Sequence, residues 1–438
     1  MSTFGRRGCL ALGTGYLYTK GLCQSQTKHG SHGDQVQPSL SITCGRGKVH
    51  AVTISAAPAP PVPLYGTRSL GELVPSLLSA LGVAGFTNPL AIEPAARVCL
   101  VLVDGLGWEL LQANPGSAPF LNSIAREPLT VGFPATTAAS LSSLATGVPP
   151  GEHGLVGYTM ALPGYDRAFN TLTWSLYGVG PRVELVEELV PESFQPLPTL
   201  AERAAGASMR IYHLGPAFHE WSGLTRAIGR GERFHAADSL EAVTEGALRL
   251  LNAPRTFVFG YHPRLDAAGH VHGVASQAWA DELVAVDHAV RLLAEQLPKK
   301  TLLVVSGDHG MVDLRPEERL DLADHPDLAA GVRILGGEPR ARYVGTVPGA
   351  TGDVLTAWRS RLGHRMWVWT REEAIATGIF GPQVTDRARE RMGDIVAAAY
   401  GRVGVVERKV DPAQARLNGH HGSLTPAELL VPLLVYGN

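Results

Sequence analysis

Cysteine is almost missing from this chain. Cys9, Cys23 and Cys44 fall in the first 44 of 438 residues, and Cys99 stands alone beyond them. The body therefore has no pair to bridge and no thiolate cluster for zinc, so a metal site there has to use His and Asp. Charge of one sign is also lacking: the net value is −2, too small to draw nucleic acid or an anionic membrane by a global field. An anionic ligand has to be attracted by a local site. No apolar run approaches the ~18 residues that cross a bilayer. Glycine and proline, 50 and 31 residues, stay below the share that marks low-complexity chains. No internal repeat occurs. These absences exclude a collagen-like, coiled-coil or wholly disordered chain. What remains is a 438-residue chain, 45% hydrophobic and 18% charged, long enough for one large domain with an insertion or for two domains.

The first sixty residues differ from the rest. They hold six Lys/Arg and one acid, Asp34, which leaves the remainder 32 basic against 39 acidic residues, a net −7. They show no sustained period and end in the Pro-rich stretch 56–63. The expectation is a disordered tail and linker over 1–65, followed by a single catalytic domain over 66–438. A signal peptide is the weaker reading, because Gly13 and Gly15 interrupt the apolar stretch after Arg6-Arg7. Another reading is that the tail is translated upstream sequence and the natural start lies near Val52. Without a convincing export signal the expected location is the cytoplasm, with export as the alternative.

The body alternates strand and helix signals. Arg97–Val103 is a continuous apolar run stopping at Asp104-Gly105, the signature of a buried parallel strand that delivers an acid to its carboxyl end. Residues 210–214, 256–261 and 301–306 read as further strands, the last followed by Asp308. Helices are expected over 137–146, 278–297 and 385–399, and a final strand over 429–436. This alternation predicts an α/β fold with a doubly wound, mostly parallel sheet covered by helices on both faces. Ligands of such sheets sit beyond the carboxyl ends of the strands. Weaker order over 155–250 leaves room for an inserted cap above that edge.

Four islands carry chemistry-bearing residues. They are Asp104-Gly-Leu-Gly107; Thr136-Thr137-Ala-Ala-Ser140, with His153 downstream; Asp266-Ala-Ala-Gly-His270-Val-His272; and Asp308-His309-Gly310, joined much later by His420-His421-Gly422. Each alone has a plain explanation: a turn, a helix cap, an i,i+4 surface pair, a solvated loop. Together they put three acids and several histidines at or after strand ends. Two metals need about six protein ligands, and Asp104, Asp266, His270, Asp308, His309 and His421 supply six. A hydroxyl at a helix N-terminus, Thr137, would face a bound phosphate with the helix dipole behind it. The chemistry implied is in-line phosphoryl transfer through a covalent threonine intermediate between two metals.

In their order along the chain these islands resemble the alkaline phosphatase superfamily, and within it the nucleotide pyrophosphatase/phosphodiesterase (type I phosphodiesterase) family, from about residue 97 to 438. The resemblance implies an alkaline phosphatase-like fold and two Zn2+ ions, with Mn2+ or iron as alternative metals. It implies one zinc on Asp104, Asp308 and His309 beside the nucleophile, and the other on Asp266, His270 and His421. It makes Thr137 the nucleophile, with Thr136 the runner-up. Tyr158 stands where the family carries an asparagine that helps hold the transferred phosphate, so its hydroxyl is the candidate substitute. His272, His420 and His153 are expected to support or pack rather than ligate. Trp108, Tyr158, Trp174 and Trp221 are candidates to stack on a nucleobase or to be core.

The resemblance implies hydrolysis of a phosphodiester or nucleotide pyrophosphate, with a small phosphate ester or nucleotide as substrate and neither nucleic acid nor membrane as partner. A phosphomonoesterase or a phosphonate hydrolase, phosphonoacetate hydrolase-like, is the rival with the same site. It would need extra cations for the third free oxygen, for which Arg226, Arg230 and Arg264 are candidates. A catalytically silent binding protein is the remote alternative. The sequence carries no sign of oligomeric state.

Overall fold

The structure is a computed structural model that describes residues 57–437, together with two short strands, Leu10–Leu12 and Tyr16–Tyr18, paired antiparallel. The proposed tail over 1–65 lies outside the described residues except for those strands and for 57–65. From residue 57 the Pro-rich stretch is fastened to the body. Trp367 Nε1 donates to the Pro58 carbonyl at 2.6 Å, and the Tyr65 hydroxyl donates to the Ile379 carbonyl at 2.7 Å.

Ten strands build the two larger sheets. In chain order they are β1 (Arg97–Val103), β2 (Arg210–Gly215), β3 (Arg233–Ala236), β4 (Thr256–His262), β5 (Thr301–Ser306), β6 (Val332–Glu338), β7 (Ala341–Thr346), β8 (Met366–Thr370), β9 (Ile395–Ala399) and β10 (Leu434–Gly437). The first sheet has the order β10–β5–β1–β4–β2–β3 and is parallel throughout except for β10, which runs antiparallel along β5. Its apolar runs are continuous because both faces are buried. Val98, Leu100 and Leu102 of β1 enter one core, and Cys99, Val101 and Val103 enter the other. Cys99 is a buried free thiol. The expected α/β architecture with a mostly parallel sheet is therefore present.

The helices that build the site and its support are α1 (Thr137–Thr146), α2 (Leu240–Leu250), α3 (Arg264–His272), α4 (Gln277–Gln296) and α5 (Thr351–Leu362). α4 forms as its period demands. Ser276 caps it by accepting from Trp279 N at 3.2 Å, and Leu283, Val286, Val290 and Leu293 bury one face. Among the described residues no helix is long and apolar enough to cross a membrane.

The second sheet, β6–β7–β9–β8, is antiparallel, and α5 covers one of its faces through Trp358 and Leu362. It has no counterpart in the sequence reading, and it corrects one expectation. Residues 385–399 are not one helix: a short helix, Asp386–Arg391, is followed by β9. The Ile-Val-Ala-Ala-Ala run of β9 suits a helix by propensity, but it is fully buried between β7 and β8, and tertiary pairing overrides that preference. The last strand is likewise broken. Pro426–Leu429 is helical, Leu430–Val431 pairs elsewhere, and β10 starts at Leu434. Pro432 lies in the gap, where it has no N–H to give a ladder. Within 155–250, the strands Thr159–Met160, Phe169–Asn170 and Ser175–Leu176 form a small antiparallel sheet, whereas β2 and β3 belong to the central one.

Candidate metal centre

Asp104 follows the end of β1, Asp308 follows β5, and Asp266 lies in the first turn of α3 just after β4. The three neighbouring parallel strands thus bring three carboxylates to one edge. Gly105, at φ +74°, makes the turn after Asp104, and a Cβ there would sit 2.9 Å from the Asp266 Cα. The close approach of that turn to α3 therefore requires glycine.

Two trios result, each with its ligand atoms within 4.8 Å of one another: Asp104, Asp308 and His309, and Asp266, His270 and His421. In the first, all buried, His309 Nε2 lies 3.4 Å from Asp104 Oδ1 and 3.6 Å from Asp308 Oδ2. In the second, His270 Nε2 lies 3.4 Å from Asp266 Oδ2 across one helical turn. The i,i+4 spacing thus puts the two expected ligands side by side within one trio. The trios adjoin: the rings of His309 and His421 stack at 3.7 Å and 13°.

Each histidine is oriented by a bond from its other nitrogen. Nδ1 of His309 donates to the Gly310 carbonyl at 3.0 Å, that of His270 to the Gly419 carbonyl at 2.8 Å, and that of His421 to the Ala135 carbonyl at 2.9 Å. These contacts put a proton on each Nδ1, so Nε2 is the ring nitrogen each histidine can offer to a metal.

The carboxylates are held but not satisfied. Asp308 Oδ1 accepts from Gly105 N at 3.0 Å, and Asp104 Oδ2 accepts from the Tyr261 hydroxyl. Asp104 Oδ1, Asp308 Oδ2 and Asp266 Oδ1 are buried with no hydrogen-bond partner. Burial, then the facing Asp308 and Asp266, raises the Asp104 carboxyl well above its usual range, and burial pushes Asp308 up to about 6. Burial drives His309 well down. Burial alone would lower His421 too, but facing Glu338 and Asp266 carries it up to about 10. Unpartnered buried oxygens in two Asp/His trios fit divalent cations, whose charge supplies what the carboxylates lack.

Thr137 opens α1, with Thr136 as N-cap at φ −146°. Thr137 Oγ1 lies 3.2 Å from His309 Nε2, at the edge of the first trio. Thr136 is 2% exposed and Thr137 is half-buried, and both line the cavity. Ser140, one turn later, fixes the Asp308 backbone by donating to its carbonyl at 2.5 Å.

Asp104 of the first trio and all three residues of the second line a cavity of about 560 Å³, as does Tyr158. The Tyr158 ring packs edge-on against Tyr177 at 5.7 Å, and burial pushes its hydroxyl up to about 12. His420 lines the cavity but bonds the Leu417 carbonyl at 3.0 Å, and exposed His272 joins neither trio. His153 closes a turn instead, accepting from Leu155 N at 3.1 Å. Trp174 is core, packed edge-on against Phe169 and Phe194, whereas Trp221 is exposed. Arg226 is paired with Glu192 and Arg230 with Glu202, and Arg264 is exposed beside Glu282. None of these three arginines lines the cavity.

Two residues of the site escaped the sequence reading. Tyr261 was legible only as the last inward position of a strand. Glu338, whose Oε2 lies 3.0 Å from His421 Nδ1, stands at the end of β6 in the unforeseen sheet, and no motif surrounds it.

A family model described as type I phosphodiesterase / nucleotide pyrophosphatase matches residues 98–424. Murine ectonucleotide pyrophosphatase/phosphodiesterase 5 has a similar solved structure: TM-score 0.59 and 18% identity, over 78% of this chain and 88% of that one. An inactive variant of it, with alanine in place of a threonine and in complex with AMP, gives 0.57 at 17% identity over 78% and 87%. The human counterpart gives 0.55 at 17% identity over the same shares. At these identities the likeness is one of fold.

Proposed function

The chain belongs to the type I phosphodiesterase / nucleotide pyrophosphatase family and is a hydrolase of phosphoric ester bonds; from that premise we propose that it cleaves singly charged phosphodiesters with Thr137 as nucleophile at a two-metal site. The proposed ligands are Asp104, Asp308 and His309 for one ion and Asp266, His270 and His421 for the other, with zinc as the expected metal. The observation that carries this reading is the three buried carboxylate oxygens, one from each Asp of the trios, that have no partner. Bound there, divalent ions supply Lewis acidity to the phosphoryl oxygens and lower the pKa of a nearby hydroxyl or water.

The chain's own residues do the rest. The Thr137 hydroxyl gives up its proton to water and Oγ1 attacks phosphorus, while the bond to the leaving group breaks on the opposite side and the departing alkoxide takes a proton back from water. Water then cleaves the phosphothreonine ester, returning the hydroxyl and releasing the monoester. The amides at the start of α1 face the phosphoryl group, and the helix dipole stabilises its charge. The Tyr158 hydroxyl, held protonated by burial and lining the same cavity, is the proposed donor to a phosphoryl oxygen. Asp104 and Asp308 are fixed by Tyr261 and Gly105, so little reorganisation is needed at the moment of reaction.

A diester is favoured over a monoester because, among the described residues, no Lys or Arg lines the cavity. A monoester dianion, or a polyphosphate, would bring extra charge to a site with no fixed cation of the protein to meet it. The AMP complex of the murine relative supports including nucleotide esters among the diesters assayed.

The test is zinc-loaded protein, wild type and Thr137→Ala, on bis-p-nitrophenyl phosphate, p-nitrophenyl thymidine monophosphate and p-nitrophenyl phosphate, with bound metal measured alongside. The reading expects preference for the diesters, loss of turnover in Thr137→Ala, and metal retained in both. Undiminished turnover in Thr137→Ala would sink Thr137 as nucleophile. Preference for the monoester would move the protein to the phosphatase reading, and absence of bound metal to the silent-binder one.

A further inference from the structure

Thr137 opens α1, but the chain that leads to it is irregular. Residues 131–136 leave the short strand Leu129–Thr130 and enter the helix. A stretch with no ladder of its own has to be fixed amide by amide. Here alternate amides find three different partners. Val131 N donates to the Leu429 carbonyl at 2.9 Å, Phe133 N to the Tyr65 hydroxyl at 3.2 Å, and Ala135 N to the Gly422 carbonyl at 3.0 Å. The outer two partners belong to the segment that begins with His421. The middle one comes from the Pro-rich stretch, outside the residues 98–424 that the family model matches.

Tyr65 is itself held on several sides. Its hydroxyl accepts from Phe133 N while donating to the Ile379 carbonyl at 2.7 Å, so both of its hydrogen-bonding roles are used. Burial raises the phenol, which therefore keeps the proton it donates. Next to it, Leu64 N donates to Thr130 Oγ1 at 2.8 Å, and the Arg68 carbonyl accepts from Thr130 N at 3.1 Å. The fully buried Phe133 ring meets Phe380, the neighbour of Ile379, edge-on at 5.2 Å. The contact is tight: a Cβ at Gly132 would lie 3.3 Å from the Tyr65 oxygen and 2.8 Å from Pro150. Just past Phe133 come two working groups. One is the Ala135 carbonyl that orients His421, and the other is Thr137 Oγ1. A shift of the Phe133 amide would be passed to both.

We propose that Tyr65 is a positioning residue for the nucleophile: its hydroxyl sets the stretch 131–136 and thereby the place of Thr137 Oγ1 relative to phosphorus. The inference rests on the reading of Thr137 as nucleophile. It adds to that site a residue from the Pro-rich segment that precedes the matched part of the chain. Tyr65 does not line the cavity and touches no substrate. Its effect therefore falls on the attack and not on substrate binding. An attacking oxygen moved by a fraction of an ångström loses reactivity steeply, by about 10–100-fold.

The test uses the zinc-loaded full chain and single-turnover release of p-nitrophenol from bis-p-nitrophenyl phosphate, with protein in excess. Tyr65→Phe keeps the ring and removes one oxygen. Its maximal rate should fall at least about tenfold, while the half-saturating concentration stays within about twofold of wild type. Tyr400→Phe is the control. It removes another phenol that donates to a backbone carbonyl, that of Gly363 at 2.8 Å, and should keep the wild-type rate. Thermal unfolding shows whether each variant is folded. If Tyr65→Phe is not, Thr130→Val decides in its place. It takes the acceptor from the Leu64 amide beside Tyr65, and should lower the maximal rate about threefold. An unchanged maximal rate in the deciding variant, a loss carried by the half-saturating concentration, or an equal loss in Tyr400→Phe would overturn the inference and leave the hydrolase reading standing. A wild type that cleaves no diester, or a Thr137→Ala variant as fast as wild type, would overturn the reading of Thr137 and the inference with it.

Discussion

Arg340 carries a stability prediction that can be worked from its contacts. It lies in the turn between β6 and β7, 2% exposed, against Glu428, which is 0% exposed. Nε and Nη2 donate to the two Glu428 oxygens at 3.1 and 2.7 Å, and Nη1 donates to the carbonyls of Gly401 and Val403 at 2.6 and 2.8 Å. The Glu428 carboxylate also accepts from Ser423 N at 3.0 Å and Thr425 Oγ1 at 2.5 Å. The Glu428 backbone carbonyl accepts from Gly310 N at 2.9 Å. That last contact ties the loop bearing His309 to the segment bearing His421, so the pair braces both trios from behind. Arg340→Met leaves Glu428 charged, buried and short of two donors, and two carbonyls unpaired. A broken buried pair of this kind costs about 3–5 kcal/mol, a large part of the ~5–15 kcal/mol that holds a protein folded. Adding Glu428→Leu removes the stranded charge, so the double variant should recover much of that loss. Urea unfolding followed by tryptophan fluorescence, on wild type, both singles and the double, gives the cycle. A cost below about 1 kcal/mol for Arg340→Met, or a double variant as unstable as the sum of the singles, would refute the reasoning.

Three further outcomes are expected. In the metal-free protein, burial holds Asp308 up from 3.8 to about 6, so the folded chain keeps a proton that the unfolded chain has lost in that window. Stability is then present at low pH and falls by about 3 kcal/mol as pH rises from about 4 to about 6. Urea titrations in EDTA should show this fall in wild type relative to Asp308→Asn, and a difference that is flat or rises with pH contradicts it. Glu338→Gln weakens the hold on the His421 ring and should lower metal affinity about 10–100-fold, read by competition with a chromogenic chelator; unchanged affinity means that the Ala135 carbonyl alone orients the ring. A Cβ at Gly310 would run into the Ala427 carbonyl oxygen, so Gly310→Ala should displace the loop holding His309 and lower both melting temperature and metal content. A variant matching wild type in both would show that this packing is slack.

Much of the candidate site was legible because several of its proposed ligands follow apolar runs. β1 and β5 are buried on both faces, so their continuous hydrophobic stretches mark where strands end and where Asp104 and Asp308 stand. The i,i+4 spacing of Asp266 and His270 is enough to put them on a common helix face. Local sequence could not reveal the antiparallel sheet, since its alanine-rich β9 forms a strand only through its neighbours on both sides. Glu338 was hidden for the same reason, because its nearness to His421 depends on how that sheet meets the central one. The depth of the cavity was hidden too. Leu144, Phe257 and Ile211 read as ordinary core residues, and only their packing leaves space between them.

The most direct test of the central claim is to trap the covalent intermediate. Zinc-loaded protein would be mixed with excess bis-p-nitrophenyl phosphate, quenched in acid during the p-nitrophenol burst, digested and analysed by mass spectrometry. The account predicts a p-nitrophenyl phosphoryl group on the Thr137 hydroxyl. A burst with no adduct on Thr137, or an adduct on another side chain, would contradict it.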